Sequence, residues 1–371
     1  LANPNSIHVQ RWATYFLEGG YEVHLIGEHT LSSQLPAGIT FHDLTHLTNL
    51  RKFRYMRWAL ALRGLLDKIR PDVLHAHNVT SAGWLAAASG FHPLLVTSHG
   101  SDLMLLGERS STHTILAKWV LRRADYVTCV SQILAQKALQ LGAPAERLEV
   151  AHLGVDLSVF NPGKTEGSWK TGGDIKRAPA ILSLRVIRPL YNPLDIAAAI
   201  PLVLERLPQA RFAFPTYNSD PQTLKELKDL IRSQKTGHAV DFIPALDGDS
   251  DIADMLRASD VAISVPNSDG TPASVLEAMA CQKAVILSDI SALHEWATHE
   301  KECLYVPPGD WQTLGRTILR LLDDDKLRRS LGENAYKMVQ TRADRRKCMH
   351  RYEQIYQNLS RGDSDLYIKE G

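Results

Sequence analysis

The sequence predicts an α/β chain built as two domains, and three observations carry that prediction. Residues 261 to 289 compress a strand, a loop, a helix and a second strand into about thirty positions, which is a βαβ unit. Strand-like and helix-like patterns alternate along both halves of the chain. Between the halves, Gly163 to Lys176 is rich in Gly, Lys and Thr and poor in apolar residues, as a linker is. At 371 residues the chain is also long for a single core.

Composition narrows the functional classes. An apolar fraction of 44% and a charged fraction of 22% are those of an ordinary globular protein. A net charge of +1 argues against a nucleic-acid partner and gives no global attraction to a membrane. Cys129, Cys281, Cys303 and Cys348 lie far apart with no CxxC pair, so neither a zinc site nor a disulfide framework is indicated. A reducing cytoplasm is the expected compartment. No apolar run approaches the roughly 18 residues of a spanning helix. The chain has no P-loop, no GxGxxG and no HExxH.

In the first half, Leu1 to Ser6 read as the end of a strand entering a loop, so the first strand is expected to begin upstream of Leu1. Ile7, Trp12, Ala13 and Leu17 fall at near-helical spacing, and Gly19-Gly20 ends that helix. Tyr21 to Ile26 alternates into a strand. Residues 51 to 70 form a basic amphipathic helix in which Arg51, Lys52, Arg54 and Arg57 interleave with Phe53, Tyr55 and Trp58. Two readings stand for it: aromatics packed on a sheet beneath a solvated basic face, or residues 51–58 resting on an anionic membrane surface. Two short apolar strands then end in histidines, at His75-Ala76-His77 and at Ser98-His99-Gly100-Ser101-Asp102. Histidines at successive strand ends share the edge of a sheet where ligands bind. Neither His77 nor His99 has a partner at metal-ligand spacing. Ala124 to Ser131 supplies another strand.

The second half opens with a strand at Ala180 to Leu184, followed by Arg185, Val186, Ile187 and Arg188. Ala210 to Phe214 is a strand that leads into Pro215 to Pro221, a turn without glycine. Val261 to Val265 is apolar without alternation and reads as a buried parallel strand. The loop Pro266 to Pro272 carries Asp269. From Ala273, the residues Val275, Leu276, Met279 and Ala280 form an apolar stripe, and Glu277 falls about 130° from its middle, facing away from the core. Ala284 to Leu287 is the next strand. Loop amides at a helix N-terminus suit a phosphate. Asp269 and Glu277, two carboxylates eight positions apart, suit the hydroxyls of a group attached to it. Asp323-Asp324-Asp325 lies between two helical runs and reads as a cap for the helix from Lys326, not as a metal motif. Residues 345–360 form a last helix, and 361–371 a polar tail.

These strings resemble glycosyltransferase family 4, the group 1 retaining glycosyltransferases of the GT-B fold. The similarity lies in Asp269-Gly270 followed by Leu276-Glu277-Ala278-Met279-Ala280-Cys281, where the family has two glutamates eight apart. It extends to Pro71 to His77 ("PDVIHAH"), Val96 to Asp102 ("VxTxHGxD"), Ala124 to Ser131 ("ADxVxxVS") and Leu153 to Pro162 ("NGVDxxxFxP"). The resemblance implies two Rossmann-like domains facing across a cleft: 1–162, with its first strand truncated, and 179–344, joined by a linker at 163–178. Residues 345–360 would cross back to the first domain. It further implies transfer of a sugar from a nucleotide-diphosphate sugar to an acceptor hydroxyl, with retention and without a metal or other cofactor. In that scheme Arg185, with Arg188, contacts the diphosphate, and Gly270, Thr271, Pro272 and Ser274 surround it. Asp269 holds sugar hydroxyls, Glu277 the ribose, and His99 the transferred sugar. Membrane contact through 51–58, at the inner face, would fit a lipid-linked acceptor. Four departures from the family pattern leave a second reading, a non-catalytic GT-B partner with a degenerate donor site. The lysine after Arg185 is missing, Pro215 to Pro221 lacks glycine, Gln282 replaces glycine after Cys281, and Ile243-Pro244-Ala245 replaces a Phe-x-Gly turn.

Overall fold

The computed structural model describes residues 1–32, 34–45, 54–104, 106, 110–163, 178–244, 246 and 248–362. Arg51, Lys52 and Phe53, linker residues 164–177, Ala245 and the tail beyond 362 lie outside the described residues. The chain divides into two units, Leu1–Leu153 with Lys347–Gly371, and Gly154–Arg346.

The first unit runs α1 (Ile7–Glu18), β1 (His24–Gly27), β2 (Thr40–Asp43), α2 (Arg54–Ile69), β3 (Leu74–His77), α3 (Ser81–Ser89), β4 (Leu94–Ser98), α4 (Ser101–Met104), α5 (Ser111–Arg123), β5 (Tyr126–Cys129), α6 (Gln132–Gln140) and β6 (Leu148–Val150). β3-β4-β5-β6 is a parallel sheet, and β1 and β2 are a parallel pair. Leu1 and Ala2 join them: the Ala2 N–H donates to Ile26 O at 3.0 Å, and the His77 N–H to Leu1 O at 3.0 Å. The strands β3, β4 and β5 are buried throughout, which is why their sequences do not alternate. In α2, Trp58, Leu62 and Leu66 are buried, so the apolar stripe packs inward as the first of its two readings requires.

The second unit runs β7 (Ala180–Ser183), α7 (Pro193–Arg206), β8 (Arg211–Pro215), α8 (Pro221–Ser233), β9 (Val240–Ile243), α9 (Asp249–Ala258), β10 (Val261–Ser264), α10 (Ala273–Ala280), β11 (Ala284–Ser288), α11 (Ser291–His294), β12 (Leu304–Val306), α12 (Trp311–Asp323) and α13 (Asp325–Arg342). Its six parallel strands lie in the order β12-β11-β10-β7-β8-β9. From β7 the chain proceeds outward through β8 and β9, then returns to β10 and proceeds the other way. The boundary between β7 and β10 is therefore the topological switch point of the sheet. Asp324 caps α13, accepting from the Leu327 N–H at 2.9 Å, so the aspartate triplet is a helix start as expected.

Residues 154–162 pack with the second unit, so the division falls before the predicted boundary at 162. Val155 and Phe160 are buried in the second core, and Val155 pairs with Asp344 in a parallel bridge. Gly154 lies at φ +69, and a Cβ there would stand 2.6 Å from the Cα of Arg345, so only glycine permits that crossing. The final helix, α14 (Arg345–Arg361), belongs almost wholly to the first unit. Its Met349, Tyr352, Ile355 and Leu359 share a core with Trp12, Phe16, Leu95 and Tyr126. Among the described residues, no helix is long and apolar enough to cross a membrane.

Candidate active site

The switch point of the second sheet brings together residues far apart in sequence. Arg185 follows β7 and Asp269 follows β10, and Arg185 Nη1 stands 3.1 Å from Asp269 Oδ2. Both side chains are largely withdrawn from water, at 15% and 7% exposure. The contact at Oδ2 is ionic and lacks the alignment of a hydrogen bond, whereas Nη2 donates to Oδ1 at 3.4 Å. Arg185 Nη1 also donates to Ser274 Oγ at 3.5 Å, and the Tyr191 ring centre lies 4.3 Å from the guanidinium carbon. The Gly270 N–H donates to Asp269 Oδ1 at 2.8 Å, fixing the carboxylate at the head of the loop.

Two asparagines hold the loops in this arrangement. Asn192 adopts φ 49, a left-handed conformation that asparagine tolerates better than most residues. From there its side-chain amide donates to Val265 O at 2.9 Å and to Asn267 Oδ1 at 2.8 Å, tying the loop after β7 to the loop after β10. No side chain caps α10, whose N-cap position is Pro272 beside Thr271. The backbone takes up part of its first turn instead: the Ala273 N–H donates to Thr271 O at 3.0 Å and the Val275 N–H to Pro272 O at 2.9 Å.

The structure corrects the sequence reading of Glu277. It does not face away from the core: it is 8% exposed, and all of α10 from Val275 to Ala280 is buried. The periodicity argument assumed one covered face, but α10 is enclosed by α9, α13, β10 and β11. Arg188 is not brought to the Arg185–Asp269 pair; its Nε donates to Asn218 O at 3.1 Å in the loop after β8. Two of the missing glycines have substitutes in conformation. Asn218 takes φ 51 in the glycine-free turn, and Gln282 takes φ 60 at the end of α10. That end is tightly covered, since a Cβ on Gly332 of α13 would meet Gln282 O at 2.3 Å.

In the first unit the strand ends carry a separate cluster. His77 Nδ1 lies 3.0 Å from His99 Nε2, so the two imidazoles share one hydrogen; His77 is buried and His99 half-buried. Desolvation lowers both pKa values, that of His77 well below the ordinary 6.5. Asp102 closes the same motif as His99. Buried at 3% exposure, it accepts from the Val79 N–H at 2.9 Å, the Gly100 N–H at 2.9 Å and the Ser98 hydroxyl at 3.0 Å, bracing the loop that carries His99. His75 is committed elsewhere. The Trp12 Nε1–H donates to the Tyr356 hydroxyl at 3.0 Å, and that hydroxyl shares a hydrogen bond with His75 Nδ1 at 2.6 Å. His75 Nε2 is hydrogen-bonded with Thr97 Oγ1 at 2.6 Å, and the ring anchors α14 through Tyr356.

Comparison with known proteins gives consistent matches along the chain. Residues 1–131 match the family model for glycosyl transferase 4-like domains, and residues 170–338 the model for glycosyl transferases group 1. N-acetyl-alpha-D-glucosaminyl L-malate synthase of Bacillus anthracis is 23% identical over 359 residues, covering 94% of this chain and 92% of that protein. Sucrose-phosphate synthase of Thermosynechococcus elongatus superposes with a TM-score of 0.80 at 20% identity, over 96% of this chain and 93% of that one. HepE of Anabaena, solved with UDP and glucose, superposes with a TM-score of 0.77 at 17% identity, over 96% and 97% of the two chains.

Proposed function

The chain belongs to the group 1 glycosyltransferases and has their GT-B fold, and on that premise we propose that it transfers a sugar from a nucleotide-diphosphate sugar to an acceptor hydroxyl with retention, using no metal. The observation that supports this reading is the Arg185–Asp269 pair at the switch point of the second sheet, where ligands of such sheets bind. The diphosphate would lie against Arg185, Ser274 and the first turn of α10, with Gly270, Thr271 and Pro272 beside it. A guanidinium and a helix N-terminus supply the positive potential that a metal ion supplies in other transferases. The sugar hydroxyls would meet Asp269 and the ribose Glu277.

In this mechanism the bond from the anomeric carbon to the diphosphate oxygen breaks, and the acceptor oxygen attacks the same face. The acceptor's proton passes to the departing diphosphate oxygen. Charge grows on the diphosphate as the bond lengthens, so the contribution of Arg185 is largest in the transition state. The test is calorimetric melting with UDP-, GDP- and ADP-sugars, followed by product formation and the anomeric configuration of the product. A ligand at about 100 times its Kd stabilises by about 2.7 kcal/mol. No stabilisation by any nucleotide or nucleotide sugar would refute the donor site, and binding without turnover would favour the degenerate-site reading.

Peripheral contact with an anionic membrane is the corresponding proposal for α2. Tyr55, Met56 and Leu60 are exposed at 42%, 62% and 67% in the helix that carries Arg57. Arg57→Glu should weaken salt-sensitive sedimentation with phosphatidylserine vesicles, and equal binding of the wild-type protein to neutral vesicles would remove the electrostatic argument.

A further inference from the structure

The second unit holds a cavity of about 550 Å³ that the reaction above does not use. Asp289, His294, Thr298, His299 and Tyr305 line it, with Ala297. Asp289 directly follows β11, and β11 pairs with β10 in the register Leu287 to Ser264. The cavity therefore begins at the strand end next to the one that carries the Asp269 loop, where neighbouring strands lie about 4.8 Å apart.

Flat rings and hydrogen-bonding groups are combined in this lining. The His299 ring is nearly parallel to Tyr305, at 13° with centroids 6.1 Å apart, and His294 meets Tyr305 edge-on at 4.8 Å. The Tyr305 backbone N–H donates to His299 Nδ1 at 2.9 Å, so the neutral imidazole carries its hydrogen on Nε2 and offers a donor. His294 Nε2 lies 2.7 Å from Asp289 Oδ1, and both side chains are about half exposed, so the carboxylate keeps acceptor capacity for a ligand. The Tyr305 hydroxyl is engaged with Ala297 O at 2.9 Å, which leaves the ring as that residue's main surface for a ligand.

A pyranose has this complementary chemistry, with a C–H face for an aromatic ring and hydroxyls for a carboxylate and an imidazole N–H. The volume suits one or two sugar units. Among the described residues, no lysine or arginine lines the cavity, so a phosphate or carboxylate would meet Asp289 without a counter-charge. We propose that this cavity is a binding subsite for a neutral saccharide, separate from the donor position. The proposal stands independently of the donor assignment.

Saturation-transfer NMR on the full chain tests it, with UDP present to fill the donor position and glucose, N-acetylglucosamine and maltose as probes. Binding in the millimolar range is expected for at least one probe, and at least about fivefold weaker binding for glucose 1-phosphate than for glucose, as a carboxylate-lined site requires. Asp289→Ala and His299→Ala should each weaken the saccharide at least about fivefold through loss of a hydrogen bond. Asp289→Asn provides the same comparison with side-chain size preserved, and Tyr305→Phe should keep binding because the ring remains. Absence of transfer to all three sugars at about 50 mM, which exceeds any Kd of interest, would overturn the proposal. So would unchanged binding in both Asp289→Ala and His299→Ala. Failure of nucleotide binding in the same samples would count only against the donor site.

Discussion

Replacing Asp269 by asparagine probes the donor site where its parts meet. Asparagine keeps the size of the side chain and an oxygen for the Gly270 N–H, which donates to Asp269 Oδ1 at 2.8 Å. It removes the charge facing Arg185, 3.1 Å away, in a pair whose side chains are 15% and 7% exposed. Two unit charges about 4 Å apart attract by about 4 kcal/mol at an effective dielectric of about 20. Arg185 would recover part of its hydration, and its contact with the Tyr191 ring survives, so the expected loss of stability is about 2–3 kcal/mol. Ligand binding should respond in the opposite sense. An Arg185 released from its pair is free for a diphosphate, so nucleotide affinity should hold or rise, by up to about tenfold for about 1.4 kcal/mol. Turnover should fall by at least about a hundredfold, since the lost contact lies where the sugar separates from the diphosphate. Calorimetric melting, nucleotide titration and product formation separate these three effects. A double-mutant cycle with Arg185→Gln gives the coupling directly. Coupling below about 0.5 kcal/mol, or wild-type turnover in Asp269→Asn, would refute the assignment. Asp269→Glu restores a charge and should retain more turnover than asparagine does.

Three further outcomes follow from the geometry. Glu277→Gln should weaken donor binding by about 1–3 kcal/mol with turnover at saturation little changed, because contacts to the ribose are present before and during the reaction; an unaltered Kd in titration calorimetry would exclude the ribose contact. Gln282→Gly should raise the melting point of the second unit, since φ 60 costs a non-glycine residue about 1 kcal/mol, and a fall would show that the glutamine side chain contributes packing instead. Burial holds the pKa values of His75, His77 and His99 below the ordinary 6.5, so below that pH the unfolded chain binds protons that the folded first unit does not. Stability of the first unit should fall from about pH 7 to about pH 5, with a shallower slope in His77→Asn, and a flat melting profile over that range would contradict the burial.

The parallel strands and the caps were legible because each depends on a short run of sequence. Val261 to Val265 could be read as a buried strand from its own residues, and Asp324 as a cap from its neighbours. Glu277 was misread for a physical reason: helical periodicity reports one covered face, and α10 is enclosed both by its neighbours α9, β10 and β11 and by α13, which lies far along the chain. The pairing of Arg185 with Asp269 had no local signature, since 84 positions separate them. Absent glycines looked like losses, yet Asn218 and Gln282 reach left-handed φ values themselves, Asn218 with a side chain that tolerates them and Gln282 at a cost. The motif around His99 identified the ring but not its hydrogen-bond partner, because His77 comes into range only when β3 and β4 align.

The place of α14 in the first unit has a temporal consequence during synthesis. Trp12, Phe16, Leu95 and Tyr126 emerge early from the ribosome, but Met349, Tyr352, Ile355 and Leu359, which cover them, come last. The whole of Gly154–Arg346 is made in between. At about 5–20 residues per second that interval is roughly 10–40 s, during which the nascent first unit exposes an aromatic surface to water. The second unit, continuous in sequence, can close its own sheet before that surface is covered. The first unit is therefore begun before the second and completed after it.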